Sequence, residues 1–383
     1  MRKRVAIVGV GTTGFRPTSP DVSYRELTHE AAVRAYMDAG VEPKDIDGFV
    51  ATSEDFLEGY SISDEYCNDQ LGAVLKPIST VPGDFIQSLA QGVMMILSGV
   101  CRIVAVQCMS KASNMLTIPH MVGFALDPIY NRPLGLHPDF VAGMEMNRFL
   151  FETGTTLEQC AAVVVKNKRN ALLNPFAAHG ALLELDDVMS SEWISYPLRR
   201  LDVAPTADGA VVMVLAAEDI AKSLNDMPIW IRGIGWCSDT PSLETRDWGS
   251  AVYTRLAAEM AYKMAGIRSP RSEIDFVELS DEYSYKELQH LEDLKLCGPG
   301  EAGYLTESGA TEMDGELPVN VSGGCLGVGH LFEANGGQKV LEVVLQLRGE
   351  KGKAQLPDVR TGLAHSWRGV PTTTGAVVIL SND

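Results

Sequence analysis

Short, nearly continuous apolar runs alternate along the chain with stretches whose apolar residues recur every three or four positions. This is the pattern of strands buried in a sheet and of helices laid against it. Val5 to Gly9 predicts the first strand, Tyr24 to Ala39 a helix, and Asp47 to Ala51 a second strand. Glu54 to Gln70 is acidic and aromatic, which predicts a surface or interface loop. A further strand ends near Val81, the turn Pro82-Gly83-Asp84 opens a helix to Leu97, and Arg102 to Val106 follows as a strand. From about residue 111 to 200 the pattern changes to Met-, Phe-, Asn- and Arg-rich helical segments interrupted by prolines, which predicts an insertion between strands. Ala210 to Leu215 is again a buried strand, followed by a charged helix.

After Pro228 a second series begins, with a strand to Gly235, a helix over 251–265, a strand at Ile274 to Leu279 and a helix from Ser284 to Leu294. It ends with a Gly-rich loop, a helix from Gln338 to Arg348 and a strand at Gly375 to Leu380. The two series rhyme. Each feeds a polar strand end into a helix (Val81 to Phe85; Leu279 to Tyr283) and closes on an apolar strand. The economical expectation is an internal duplication of α/β units about two sheets, with halves of 1–225 and 226–383 and the insertion in the first.

Charge narrows the function. Fifty Asp and Glu against 32 Lys and Arg give a formal charge of −18 in 383 residues, which argues against a nucleic-acid partner because phosphate binding needs a basic face. Basic groups for an anionic cofactor must then be local or come from another chain. No apolar run reaches the roughly 18 to 20 residues of a membrane span. The N-terminal MRKRVAIVGVG leads straight into a strand, so a cytoplasmic protein is expected. The seven cysteines are scattered without a CxxC pair, which predicts free thiols and neither a disulfide framework nor a metal site.

Candidate chemistry concentrates in NVSGGCLGVGHLFEANGG, residues 320–337. Glycine at that density lets the backbone approach a ligand, and a following helix N-terminus sets His330 beside N–H groups suited to a developing oxyanion. The plainer alternative is a loop whose His330 only bonds backbone. Gly9, Gly11 and Gly14 match GxGxxG, but Phe15, Arg16 and Pro17 break the helix that would receive a pyrophosphate. Asp84 stands where a helix N-cap belongs, and capping competes there with a catalytic role. Lys166 to Pro175 is one of few basic stretches, either a solvated helix face or a contact to cofactor phosphates.

These residues resemble a family. The order of elements, the loop from Ser322 to Gly336, the strand ADGAVVMVLA, the segment VELSDEYSYKELQHLEDLKLCGPGEAG and the closing HSWRGVPTTTGAVVIL are similar to the thiolase superfamily over essentially the whole chain. Within it they look most like short bacterial and archaeal proteins of sterol-carrier-protein type, often labelled acetyl-CoA acetyltransferase. The resemblance implies a five-layer αβαβα sandwich of two duplicated halves, usually a homodimer, acting on acyl-CoA without a metal. It also implies a small OB-fold, zinc-ribbon acyl-CoA-binding partner in ketothiolase or retro-aldol steps. The family's nucleophilic Cys lies at the start of the helix after Ile78 to Val81; here TVPGDFIQSL has no Cys, and Asp84 is nearest that place. The loop histidine matches His330, followed by Leu331 where the family has Pro. The family's Asn or His before an acidic residue falls at Ser280, followed by Asp281, Glu282 and Tyr283. The motif that supplies a second Cys in biosynthetic thiolases reads His365 to Gly369.

On this basis His330, Asp84, Asp281, Tyr283 and Cys325 are the catalytic candidates, with Tyr285 a second possible proton carrier. Ser322, Gly323, Gly324, Gly329 and His365 are expected to hold coenzyme A. Cys325 has a plain reading too, a small thiol packed under the loop. Three functions remain open: thiolase-type cleavage or condensation of a β-ketoacyl-CoA, retro-aldol cleavage of a β-hydroxyacyl-CoA, and a non-catalytic subunit. The missing Cys suits the second better than the first.

Overall fold

Strand β1 (Val5–Thr12) is buried at every position, so it belongs inside a sheet covered on both faces. The computed structural model describes residues 4–54, 63–369 and 374–383. Within them the other strands are β2 (Gly48–Thr52), β3 (Ile78–Val81), β4 (Ile103–Lys111), β5 (Trp193–Ser195), β6 (Leu198–Arg199), β7 (Asp208–Ala217), β8 (Ile229–Ser238), β9 (Phe276–Glu278), β10 (Thr361–Arg368) and β11 (Thr374–Ser381). Strands β5 and β6 pair by themselves, and the other nine hydrogen-bond in the order β3-β2-β4-β7-β1-β8-β11-β10-β9.

The order repeats outward from the β1/β8 junction. β1-β7-β4-β2 on one side answers β8-β11-β10-β9 on the other, each with two antiparallel pairs followed by a parallel one. The partner of β3 is reduced to one parallel bridge between Val277 and Val319. Two sheets were expected, but antiparallel pairing of Ala6 with Trp230 and Ile7 with Ile229 joins the strands into one hydrogen-bonded run. β10 is a strand that periodicity does not reveal, because His365, Ser366 and Arg368 interrupt its apolar pattern.

Alternation along the strands sorts side chains into layers. Ala6, Val8, Val212 and Val214 pack under the helix Tyr24–Ala39, whereas Ile7, Met213 and Leu215 face the opposite way. In the second half Val377 and Ile379 face an outer layer with the helices Val252–Ala265 and Ser284–Asp293, while Ala376, Val378 and Leu380 turn inward. The two inward faces meet on the helices Phe85–Leu97 and Asn335–Arg348, and the second of these is buried at every position. Helix, strands, central helix pair, strands and helix make five layers.

The GxGxxG pattern is explained by this packing. A Cβ on Gly9 or Gly11 would lie 2.4 or 2.2 Å from the carbonyl oxygens of Ala35 and Ala31, so glycine lets the first helix lie directly on β1. Gly233 and Gly235 of β8 do the same beneath Val252–Ala265, with Cβ positions 2.1 and 2.3 Å from the carbonyls of Ala261 and Ala257. Of the acidic segment expected as a loop, residues 55–62 lie outside the described residues, and the rest holds two short helices, Ser63–Tyr66 and Asn68–Leu71. The 111–200 region adds the helices Ile118–Gly123, Pro138–Thr153, Leu157–Ala171 and Leu185–Met189 and the β5/β6 hairpin. No helix among the described residues is long and apolar enough to cross a membrane.

Replacing Gly11 or Gly235 by valine is expected to destabilise the fold by about 1–3 kcal/mol through overpacking. Urea unfolding measures it, and an unchanged midpoint in both variants would contradict so close a helix–strand contact.

Candidate active site

A cavity of about 930 Å³ opens where the loops after β9 and β10 meet the Gly-rich loop and the segment that leads into β7. Its roof is apolar, formed by Ile118, Met121, Val122 and Phe124 of the insertion together with Phe332. Its floor is polar, with Glu282, Tyr283, His330, Glu333, Asn335 and Trp367. An apolar pocket with a few convergent polar groups is the usual form of a small-molecule site.

His330 is held from both ends of its backbone. Its N–H donates to the Pro205 carbonyl (2.8 Å), and its own carbonyl accepts from the Ala207 N–H (3.1 Å). Gly329 makes the approach possible, since its φ is +124° and a Cβ there would sit 2.4 Å from that of Ala207. Only glycine is at ease in that conformation.

The side chain of Asn335 decides the protonation of the imidazole. Its Oδ1 accepts from the Leu331 N–H (2.8 Å), which points its Nδ2 at Glu282 Oε1 (2.8 Å) and His330 Nδ1 (3.0 Å). An amide nitrogen only donates, so His330 Nδ1 must accept and the ring carries its proton on Nε2. Burial pushes the imidazole down to about 4, so it is neutral at pH 7. The Nε2–H is then a fixed neutral donor in a wall of the cavity. Glu282 is buried, and burial, followed by the nearby Asp281, raises its carboxyl to about 8. Its Oε1 lies 3.9 Å from His330 Nδ1. Tyr283 reaches the cavity too, but its hydroxyl donates to Asp139 (3.0 Å), and burial pushes the phenol well above its ordinary range. Arg368 lines the cavity paired with Glu54.

The other expected residues lie beneath the cavity rather than in it. Asp84 caps the helix Phe85–Leu97 and is 2 % exposed; its carboxylate accepts from the N–H groups of Ile86 and Gly336 (2.9 Å each) and from the Ser366 hydroxyl. Burial still raises it to about 6. Asp281 is enclosed, accepting from the Cys325 N–H and from Asn167 Nδ2 (2.7 Å), with Lys339 Nζ at 3.6 Å. Cys325 is 1 % exposed, and burial pushes its thiol well up. Ser322 bonds Glu278 through both its N–H and its hydroxyl, and Gly323 and Gly324 are buried against Ala171 and Asp281. His365 is fully buried, bonded to Thr254 (3.0 Å) and packed on His290 with ring centroids 4.4 Å apart.

Three of the loop N–H groups expected beside the imidazole are therefore already bonded. Those of Ser322, Cys325 and Gly336 are taken by Glu278, Asp281 and Asp84. Conversely, Glu282, Asn335 and Trp367 are cavity residues that sequence reasoning did not select. The acidic run before Ser284 and the Asn in the ANGG turn were the available signals. Among the described residues no group of three or more His, Cys, Asp or Glu is arranged to hold a metal.

A family model described as thiolase C-terminal domain-like matches residues 236–382. An acetyl-CoA acetyltransferase of Methanothermobacter thermautotrophicus is 34% identical over 385 residues, 98% of this chain and 99% of the relative. The chain belongs to the thiolase superfamily, in its sterol-carrier-protein type. It is also similar to the 17-hydroxy-3-oxo-4-pregnene-20-carboxyl-CoA lyase of Mycobacterium tuberculosis, at 29% identity over 97% of this chain and 98% of that one. Among solved structures, the Ltp2-ChsH2(DUF35) aldolase superposes with a TM-score of 0.86 at 27% identity, covering 99% of this chain and 98% of that one. In this thiolase-type chain the carboxylate nearest the nucleophile's expected place ties the two central helices together.

Asp84→Asn tests that structural role. In either amide orientation one of the backbone N–H groups of Ile86 and Gly336 would face an NH₂ group, so a stability loss of about 1–3 kcal/mol is expected. An unchanged unfolding midpoint would contradict it.

Proposed function

We propose that the chain cleaves a carbon–carbon bond of an apolar β-hydroxyacyl-CoA by a retro-aldol step. The observation that carries this is a cavity containing a buried carboxyl poised near neutrality and a fixed imidazole donor, while none of the described residues lining it is a cysteine. Of the two catalytic readings open to the sequence, retro-aldol chemistry is the one that needs no acyl-enzyme. The similarity to a pregnene-carboxyl-CoA lyase and to an aldolase supports the same choice.

In this mechanism the Glu282 carboxylate takes the proton of the β-hydroxyl. The oxygen lone pair forms the new carbonyl as the Cα–Cβ bond breaks, and that bond's electron pair moves onto the α-carbon and the thioester oxygen. The His330 Nε2–H donates to this oxygen as it becomes an enolate, and because the imidazole is neutral and already oriented, little reorganisation accompanies the charge. Glu282 then returns its proton to the α-carbon. A ketone or aldehyde leaves with a shortened acyl-CoA. A base with a pKa near 8 is matched to work close to neutral pH.

Thiolase-type transfer through Cys325 is less well supported, because burial disfavours its thiolate and the loop covers it. A non-catalytic subunit would have no use for a buried carboxyl and imidazole set in this geometry. Coenzyme A carries phosphates and this chain carries a net charge of −18. We therefore assign the phosphate-binding surface largely to a small OB-fold, zinc-ribbon partner, in line with the DUF35 component named with the aldolase neighbour. Homodimerisation is part of the same proposal.

With 3-hydroxy-3-phenylbutanoyl-CoA as probe, acetophenone release should rise with pH and reach half its maximum near pH 8, as Glu282 loses the proton that burial retains. Glu282→Gln and His330→Ala should each lower kcat by roughly a hundredfold or more. Cys325→Ser should leave the rate within about twofold, as fits a packing role for the thiol. Full activity in Glu282→Gln, or an acyl adduct on Cys325 detected by mass spectrometry, would overturn the mechanism.

A further inference from the structure

Two residues after His330, Phe332 holds an unusual backbone. Its φ is +52°, a conformation that a bulky side chain adopts only where its surroundings hold it there. Bonds on either side do so. The Ala334 N–H donates to the Leu331 carbonyl (3.0 Å), and the Leu331 N–H donates to Asn335 Oδ1 (2.8 Å). Glycine would make the same turn without strain, so the strain is retained together with an aromatic ring. That ring has two sets of neighbours. It packs against the His330 imidazole, with centroids 4.4 Å apart and planes inclined by 60°. With Ala112 it also forms a small buried cluster against Met115, Ile118, Met121 and Val122, where the insertion begins. Ile118, Met121 and Val122 are only partly buried, and they belong to the apolar roof of the cavity. Phe332 therefore touches both the roof and the imidazole.

The imidazole has one freedom that its hydrogen bonds do not remove. Backbone bonds on both sides hold the Cα of His330, and the Asn335 amide holds Nδ1. Nε2 lies across the ring from Nδ1 and can still swing about those two points. A ring packed on the imidazole limits the swing, and it does so best when its own neighbours cannot move. The roof is one such neighbour, and its partly buried side chains gain contacts when an apolar group fills the cavity beneath them.

We propose that Phe332 is a positioning residue that couples the acyl-binding roof to the His330 imidazole, so that an apolar acyl group long enough to reach the roof raises kcat and not affinity alone. This deepens the retro-aldol reading and rests on it for the role of the His330 Nε2–H. Binding energy from carbons that do not react is converted into orientation of the donor that meets the enolate oxygen. The acyl group is thereby selected in the rate of the chemical step.

The test compares two thioesters with the same reacting carbon, 3-hydroxy-3-methyldecanoyl-CoA, which releases 2-nonanone, and 3-hydroxy-3-methylbutanoyl-CoA, which releases acetone. Phe332→Leu keeps an apolar residue and removes the ring. For the longer substrate kcat should fall about tenfold with KM within about twofold, and for the shorter one kcat should fall by about threefold or less. An equal fall for both would mean that the ring steadies the imidazole without reading the acyl group, a rise in KM alone that it only packs on the substrate, and no change that it is unused; each result overturns the proposal. Met121→Ala in the roof should lower kcat for the longer substrate about threefold and add little to Phe332→Leu, whereas fully additive losses overturn the coupling. A second measurement needs no change at either position. In ¹⁵N-histidine-labelled protein the His330 ring signal, identified by its loss in His330→Ala, should narrow with 3-methyldecanoyl-CoA, which lacks the hydroxyl and stays intact, and not with 3-methylbutanoyl-CoA. An unchanged signal with the longer ligand, or equal narrowing with both, overturns the proposal. If the unaltered protein releases neither ketone while the narrowing is specific to the longer ligand, the retro-aldol function falls and the coupling of roof to imidazole stands.

Discussion

One carboxamide holds the site together. Asn335, the first residue of a central helix, has a single acceptor and two donors, and it spends them on the Leu331 N–H, Glu282 and His330. Because the acceptor is claimed by backbone, the amide cannot flip, and because it cannot flip, the imidazole has one tautomer. The residues it joins come from the loop after β9 and the loop before the helix. In a site walled by apolar side chains these bonds are stronger than in water, and losing one strands a buried polar group.

The helix behind Asn335 is buried at every position yet carries Gln338, Lys339, Glu342 and Gln346, and each has an assigned neighbour in the core. Lys339 is the central case. Burial works against its charge, but the negative groups around it, Asp281 among them, more than offset this and hold its pKa above the usual lysine range. Asp281 in turn accepts the Cys325 N–H under the Gly-rich loop. Buried pairs of this kind add little net stability, but every other register of the helix would leave a charge unpaired. The loop that presents His330 is thereby locked to the helix that presents Asn335. Asp84 adds the same kind of tie between the two central helices, through the Gly336 N–H.

Much of the architecture was legible because burial leaves a period in the chain. The helices Tyr24–Ala39 and Phe85–Leu97 and the strands β1, β7 and β11 follow their apolar patterns closely. The rhyme between the two series reappears as a repeated strand order. β10 escaped notice because its polar residues are satisfied by neighbours distant in sequence, Thr254 for His365 and Asp84 for Ser366. His330 stood out through the glycines around it. The N–H groups beside it gave the opposite lesson, since a Gly-rich loop looks equally open whether or not carboxylates from residues 84, 278 and 281 have already claimed its donors.

By itself the sequence determined the fold class and the loop that bears the imidazole, since each depends on residue types at local or repeated spacing, and its motifs carried the resemblance to the superfamily. Only the tertiary structure decided which groups face the cavity and in what protonation state. Glu282 is an ordinary surface carboxylate on paper and a near-neutral acid once enclosed, and Trp367 is one aromatic residue among many until its N–H is found buried without a partner among the described residues. Those properties come from desolvation and from neighbours far along the chain, 53 residues apart for Asn335 and Glu282 and 87 for Trp367 and Ser280. Neither leaves a trace in local pattern.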